Sequence, residues 1–158
     1  MCVGILAALY VPFLGQSRLP LGSLGDYLAY WRLNAPVYSA LERVFPTAGL
    51  VGVPVGFGFA VALWARWRLA LDSPEAWAWP VATTLLFAPT FYPWYLLWVT
   101  PFLFTPRLLP LAVWTVSSLA VYWPLPVWAT MVIEYGSVLG VAGWMWAQSV
   151  SARRAIST

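Results

Sequence analysis

Between Ala76 and Pro106 the chain carries no charged residue, yet it contains Pro80, Pro89, Pro93, Pro101 and Pro106. A long apolar run without charge favours a buried or lipid-facing helix. Each internal proline works against it by removing a backbone donor and clashing with the preceding turn. The conflict is sharpest at Ala88-Pro89-Thr90-Phe91-Tyr92-Pro93-Trp94-Tyr95-Leu96-Leu97-Trp98-Val99-Thr100-Pro101. There two apolar helices are expected to break, and the freed carbonyls must face protein or a wet cavity. A proline-rich, aromatic-rich break of this kind is a candidate site.

The rest of the composition pushes the same way. Of 158 residues, 62% are hydrophobic and 8% charged, against roughly 45–50% and about 25% in a soluble domain. The expected fold class is all-α: a polytopic transmembrane helical bundle of about six membrane segments with a Pro-broken helix pair. By the apolar-run criterion the segments are Cys2–Leu14, Ala48–Ala65, Ala76–Thr90, Phe91–Pro106, Leu108–Trp123 and Val127–Gln148. The third and fourth are short for full crossings, so a re-entrant pair is an alternative. Met1–Leu14 reads as the second half of a helix, which suggests a fragment or a mis-assigned start. Residues 1–158 are expected to form one transmembrane domain, with residues 15–47 as an outer loop carrying short interfacial helices. In that loop Ser23 and Asp26 could cap a helix through Asn34, and Pro36 could open another through Phe45.

Arginine placement orients this expectation. Arg66, Arg68, Arg107, Arg153 and Arg154 lie in short connections on one side, and Arg18, Arg32 and Arg43 lie with Asp26 and Glu42 in the longer loop. The positive-inside rule makes the first side cytoplasmic. That gives a multi-pass plasma-membrane protein with both termini in the cytoplasm. The scattered arginines form no basic cluster able to track a phosphate backbone, so nucleic acid is not an expected partner. Histidine is absent and Cys2 is the single cysteine, which excludes histidine metal ligation, a Ser-His-Asp triad and an intramolecular disulfide. No metal-ligand cluster, phosphate-cradling glycine loop or nucleophile–base pair is visible, so no metal or cofactor is expected. Along the second segment Gly52 and Gly56 fit a small-xxx-small contact, read most simply as helix packing within one chain.

Three stretches carry a resemblance. They are Tyr30-Trp31-Arg32-Leu33-Asn34-Ala35-Pro36-Val37-Tyr38, then Pro89 through Trp98, then Glu134-Tyr135-Gly136. They resemble, in order and spacing, the later half of GT-C superfamily glycosyltransferases that use polyprenol-phosphate sugars, particularly bacterial mannosyltransferase-like members. Tyr92 stands where that family often has histidine. The resemblance implies transfer of a sugar, mannose foremost, from a polyprenyl-phosphate donor to a glycan or glycolipid acceptor on the outer face of a lipid bilayer. It also places the family's catalytic acidic residues in an N-terminal outer loop to which nothing here corresponds, so this chain alone is expected to be an inactive C-terminal part.

Such a transfer needs a base for the acceptor hydroxyl and cations for the leaving phosphate. Arg32 and Arg43 are candidate phosphate cations, since guanidinium binds phosphate bidentately; the alternative is that they bind lipid headgroups or pair with Asp26 and Glu42. Asn34 and Tyr92 could hydrogen-bond an acceptor. Trp94 and Tyr95, with Trp98, could stack on a sugar or form an aromatic belt. The catalytic base is not identified. Asp26 and Glu134 are the acidic candidates, with Asp26 also explained as a helix cap. Glu134 falls about seven residues into an apolar segment, roughly 10 Å along a helix, a depth at which ionisable groups are functional or paired, unless Pro124–Glu134 is a wet interfacial turn. Two other classes stand beside the enzyme: a non-catalytic membrane scaffold, and a transporter-like subunit with Glu134 lining a path.

Overall fold

Prolines decide where each helix starts and stops. The computed structural model describes residues 4–5, 8–9, 11, 30–45, 50 and 52–156. Helix α1 spans Pro36–Glu42, α2 Val53–Arg68, α3 Pro74–Leu86, α4 Leu109–Ser117, α5 Val127–Met131 and α6 Ser137–Ile156. Proline occupies one of the first two helical positions of α1 to α4, where its missing N–H costs nothing and its fixed φ suits a helix start. Ser73 caps α3, its hydroxyl accepting from the Ala76 N–H at 3.4 Å. Between α3 and α4 the chain makes only 3₁₀ turns, at Pro93–Trp98, Thr100–Phe102 and Pro106–Leu108. A further 3₁₀ turn, Ser118–Tyr122, follows α4, and a π-turn, Val132–Gly136, joins α5 to α6.

The chain divides into two compact units, Met1–Trp31 and Arg32–Thr158. In the first, Gly4, Ile5, Ala8 and Leu9 are helical. The second holds a core of Ala78, Ala82, Phe91, Leu96, Val99, Leu108, Leu111 and Trp114, supplied by α3, α4 and the 3₁₀ segment between them. A smaller cluster joins Ala35, Tyr38 and Leu50. Glu75, at the start of α3, is buried and accepts from the Thr105 hydroxyl at 3.2 Å, with Arg107 at 3.9 Å. This ties the end of the 3₁₀ segment back to the beginning of α3.

Several expectations are corrected here. The described residues are helical, with no strand beyond one isolated bridge, Leu33 to Thr90. However, no helix among them is long and apolar enough to cross a membrane. The polytopic bundle of about six crossings is therefore overturned. With it go the multi-pass plasma-membrane placement and the cytoplasmic assignment of both termini. The physical reason is visible at each run. The third segment ends as α3 at Leu86, and the fourth is 3₁₀ rather than α, because Pro89, Pro93, Pro101 and Pro106 recur before an α-helix can propagate. Helix α2 stops at 16 residues, short of the roughly 20 a crossing needs. The long α6 trades apolar positions for Gln148, the serines and Arg153–Arg154. The capped helix expected from Asp26 through Asn34 is not formed at its end, since residues 31–35 are non-helical; its start, and most of Cys2–Leu14, lie outside the described residues.

Helices α2 and α3 pack against each other around one glycine. A Cβ at Gly58 would overlap the Thr84 side chain and lie 3.3 Å from the Pro80 carbonyl oxygen. Thr84 cannot simply turn away, because its hydroxyl donates to that same carbonyl at 2.9 Å. Around Gly52 and Gly56 a Cβ would meet nothing within 4 Å, so Gly58 marks the close approach. Gly58→Ala is expected to cost about 2 kcal/mol by overpacking, while Gly56→Ala, in open space, is expected to stabilise α2 slightly through helix propensity. Equilibrium urea denaturation of both variants checks the contrast.

Candidate functional site

The three stretches that carry the sequence resemblance meet. The Phe91 N–H donates to the Leu33 carbonyl at 2.8 Å, the centre of the isolated bridge. The Asn34 amide donates to Glu134 Oε2 at 2.7 Å across 100 residues of sequence. The Tyr135 hydroxyl donates to the Asn34 carbonyl at 3.4 Å. Trp114, from α4, completes the node: its indole N–H donates to Glu134 Oε1 at 2.7 Å, and its ring stacks on Phe91 at 5.1 Å.

Local backbone geometry makes these contacts possible. Asn34 has φ of +49°, the left-handed region that asparagine tolerates better than most residues. The turn it makes follows the bridge of Leu33 to Thr90 and leads into α1 at Pro36. Glu134 sits inside the π-turn, the wider register often found where a helix is deformed for a site. Its own backbone carbonyl accepts from the Ser117 hydroxyl at 3.2 Å and the Ser137 hydroxyl at 3.0 Å. The Glu134 side chain is fully enclosed. Burial pushes its carboxyl above the ordinary glutamate range, and the hydrogen bonds from Asn34 and Trp114 pull partly back. Burial, then the neighbouring Glu134 charge, raises the Tyr135 phenol as well.

Arg32 points into a separate arrangement on the same strand. It binds Glu42 through Nη2 at 2.6 Å and Nε at 3.0 Å, and its guanidinium lies 4.8 Å above the Tyr38 ring. The hydrogen bond to Glu42 is the main reason its basicity is raised. Arg32 is thus already engaged by a carboxylate, the pairing open to it from sequence. Tyr38 is buried, and its hydroxyl has no hydrogen-bond partner among the described residues. Arg43 is exposed in the turn after α1. Tyr92 stacks on Trp94 at 4.3 Å and meets Tyr95 edge-on at 5.7 Å, one residue beyond Phe91. Asp26 lies outside the described residues. The structure therefore brings Asn34 and Glu134 together, clusters Tyr92, Trp94 and Tyr95 with one another, and gives Arg32 to Glu42.

Beside the node runs an apolar groove of about 840 Å³. Pro36 and Ala40 of α1, Leu86 at the end of α3, Val132 and Tyr135 of the π-turn, and Leu139 of α6 line it. Its only polar side chain is Tyr135, whose hydroxyl reaches back to Asn34. Trp114 and Phe91 were not singled out from sequence. With 12 tryptophans in the chain, no spacing rule separates the one that bonds Glu134 from those on the surface. Among the described residues no group of three His, Cys, Asp or Glu could hold a metal.

No family model matches the chain, and neither a curated protein nor a solved structure matches it.

Proposed function

We propose that this chain is the C-terminal part of a glycosyltransferase that moves a sugar, mannose by the resemblance, from a polyprenyl-phosphate donor to a glycan or glycolipid acceptor. One observation carries the reading: the three stretches that carry the resemblance, far apart in sequence, meet at one node that borders an apolar groove. A groove of this size, lined by apolar side chains with Tyr135 among them, has the room and chemistry for an isoprenoid chain. Tyr92, Trp94 and Tyr95 form a cluster of aromatic rings suited to a sugar ring. Trp94, Trp98, Trp123 and Trp128 are largely exposed, and exposed aromatic surface of this kind suits a lipid partner such as the bilayer that dissolves the donor.

The roles divide by access. Glu134 is enclosed, so an acceptor hydroxyl cannot reach it, and its part is to hold the node together. Arg32 would serve the donor phosphate only by exchanging Glu42 for it, whereas Arg43 is open to solvent. The base for the acceptor lies outside this node.

The test is binding of radiolabelled polyprenyl-phosphate mannose to the purified chain in detergent. Ala40→Trp and Leu139→Trp, in two different helices that line the groove, are each expected to weaken binding at least tenfold while leaving the helical spectrum unchanged. Unlabelled polyprenyl phosphate should displace the label, and free mannose 1-phosphate should not. A folded chain that retains no donor would remove the reading.

A further inference from the structure

We propose that Asn34 and Glu134 form a proton-exchanging pair that positions the Arg32–Asn34 strand against Phe91, holding it most firmly when Glu134 is protonated and loosening it when the carboxyl ionises. This inference goes beyond the glycosyltransferase reading and does not depend on what occupies the groove.

The argument begins with what surrounds the carboxyl. From the strand it meets the Asn34 amide; from α4, the Trp114 indole, with the Ser117 hydroxyl on its backbone carbonyl; from its own turn, Tyr135 and Ser137. None of these is a cation, and the nearest guanidinium along the strand, that of Arg32, is bound to Glu42. A buried carboxylate without a cation is costly even with good hydrogen bonds. The neutral acid avoids that cost, but it needs an acceptor for its O–H. Asparagine can supply one. A half-turn of the Asn34 amide replaces the Nδ2 donor with the Oδ1 acceptor, while the Trp114 indole keeps its bond to the other oxygen. The pair is therefore hydrogen-bonded in both protonation states with no change of backbone, and the states differ in whether a charge stays buried.

The sign follows from burial. The closed node holds the Glu134 proton more tightly than an open, hydrated one does. The contribution of this group to closure is fully present below the ordinary glutamate range and is lost as pH rises through the raised value of the closed state. Glu134 acts on Arg32 only through Asn34, so it is a positioning residue.

Hydrogen exchange at the Phe91 amide, which is bonded to Leu33, reports the strand directly. After division by the intrinsic rate, its protection is expected to fall with rising pH by up to about tenfold per unit, the limit for one proton. Glu134→Gln should flatten the profile, since its amide can pair with Asn34 and never ionises. Asn34→Asp keeps a residue tolerant of the left-handed turn but sets two carboxyls face to face. They share one proton, so the fall should move to higher pH and become deeper. In the unsubstituted protein the Trp114 indole proton frequency must titrate at the pH where the fall in Phe91 protection levels off, the value of the closed state. A flat profile for the unsubstituted protein, or a Glu134→Gln profile with an unchanged slope, would overturn the proposal.

Discussion

Trp114→Ala is expected to be among the most damaging single substitutions in this chain, at about 3–5 kcal/mol. Trp114 is buried in the main core, stacks on Phe91 and donates to Glu134 at 2.7 Å. Alanine removes all three interactions and leaves a cavity between α4 and the 3₁₀ segment. Trp114→Phe separates the contributions. It keeps most of the apolar volume and the stacking but takes one donor from a buried carboxyl, which corresponds to about 1.5–3 kcal/mol for a hydrogen bond to a charged group. Urea denaturation followed by circular dichroism should rank the phenylalanine variant between the parent and the alanine variant. The deficit of Trp114→Phe should shrink as pH falls, because a protonated Glu134 loses less with the donor. Equal losses for the two variants at all pH values would mean the indole bond contributes nothing.

Asn34 carries the second large effect, through backbone and side chain together. Asn34→Ala places a β-carbon without a stabilising polar group in the left-handed region, at about 1–2 kcal/mol. It also takes a donor from Glu134, for about another 1–3 kcal/mol. Asn34→Gly relieves the first cost and keeps the second. Glycine is therefore expected to recover roughly half of the loss seen with alanine. If the two variants are equally stable, the positive φ is not a source of strain; if glycine matches the parent, the amide–carboxyl bond is not a source of stability. Thermal unfolding of the three proteins at one pH decides between these outcomes.

Some of this was legible in the sequence. The break at Pro89–Pro93 was, because proline leaves a chain few options, and so was the start of α1 at Pro36. Asn34 and Glu134 were singled out too, one from a short resemblance and the other as an acidic residue set in an apolar run, and the fold joins them by a hydrogen bond. Other features were not. Hydropathy counted apolar residues and could not register that prolines spaced four to eight apart would make Pro93–Leu108 a succession of 3₁₀ turns. That is why runs long enough on paper did not become crossing helices. The left-handed turn at Asn34 rests on a partner 100 residues away, and the π-turn at Glu134 has no periodicity of its own to betray it. Arg32 looked like a phosphate ligand by type and position, yet Glu42, ten residues on, reaches it once α1 forms.

The bond between Asn34 and Glu134 also bears on the order in which the chain acquires its structure. Helices α1 to α5 lie within the 100-residue loop this contact closes, and most contacts in the chain are with neighbours in sequence. Closing so long a loop gives up chain entropy before any long-range contact repays it. Local pairs such as α2 with α3 can assemble first, and the strand bearing Asn34 docks onto a surface that already exists. A contact made that late contributes little to the folding barrier and much to the barrier for coming apart. The node thus acts as a closing clasp, setting how long the assembled chain lasts more than how fast it forms.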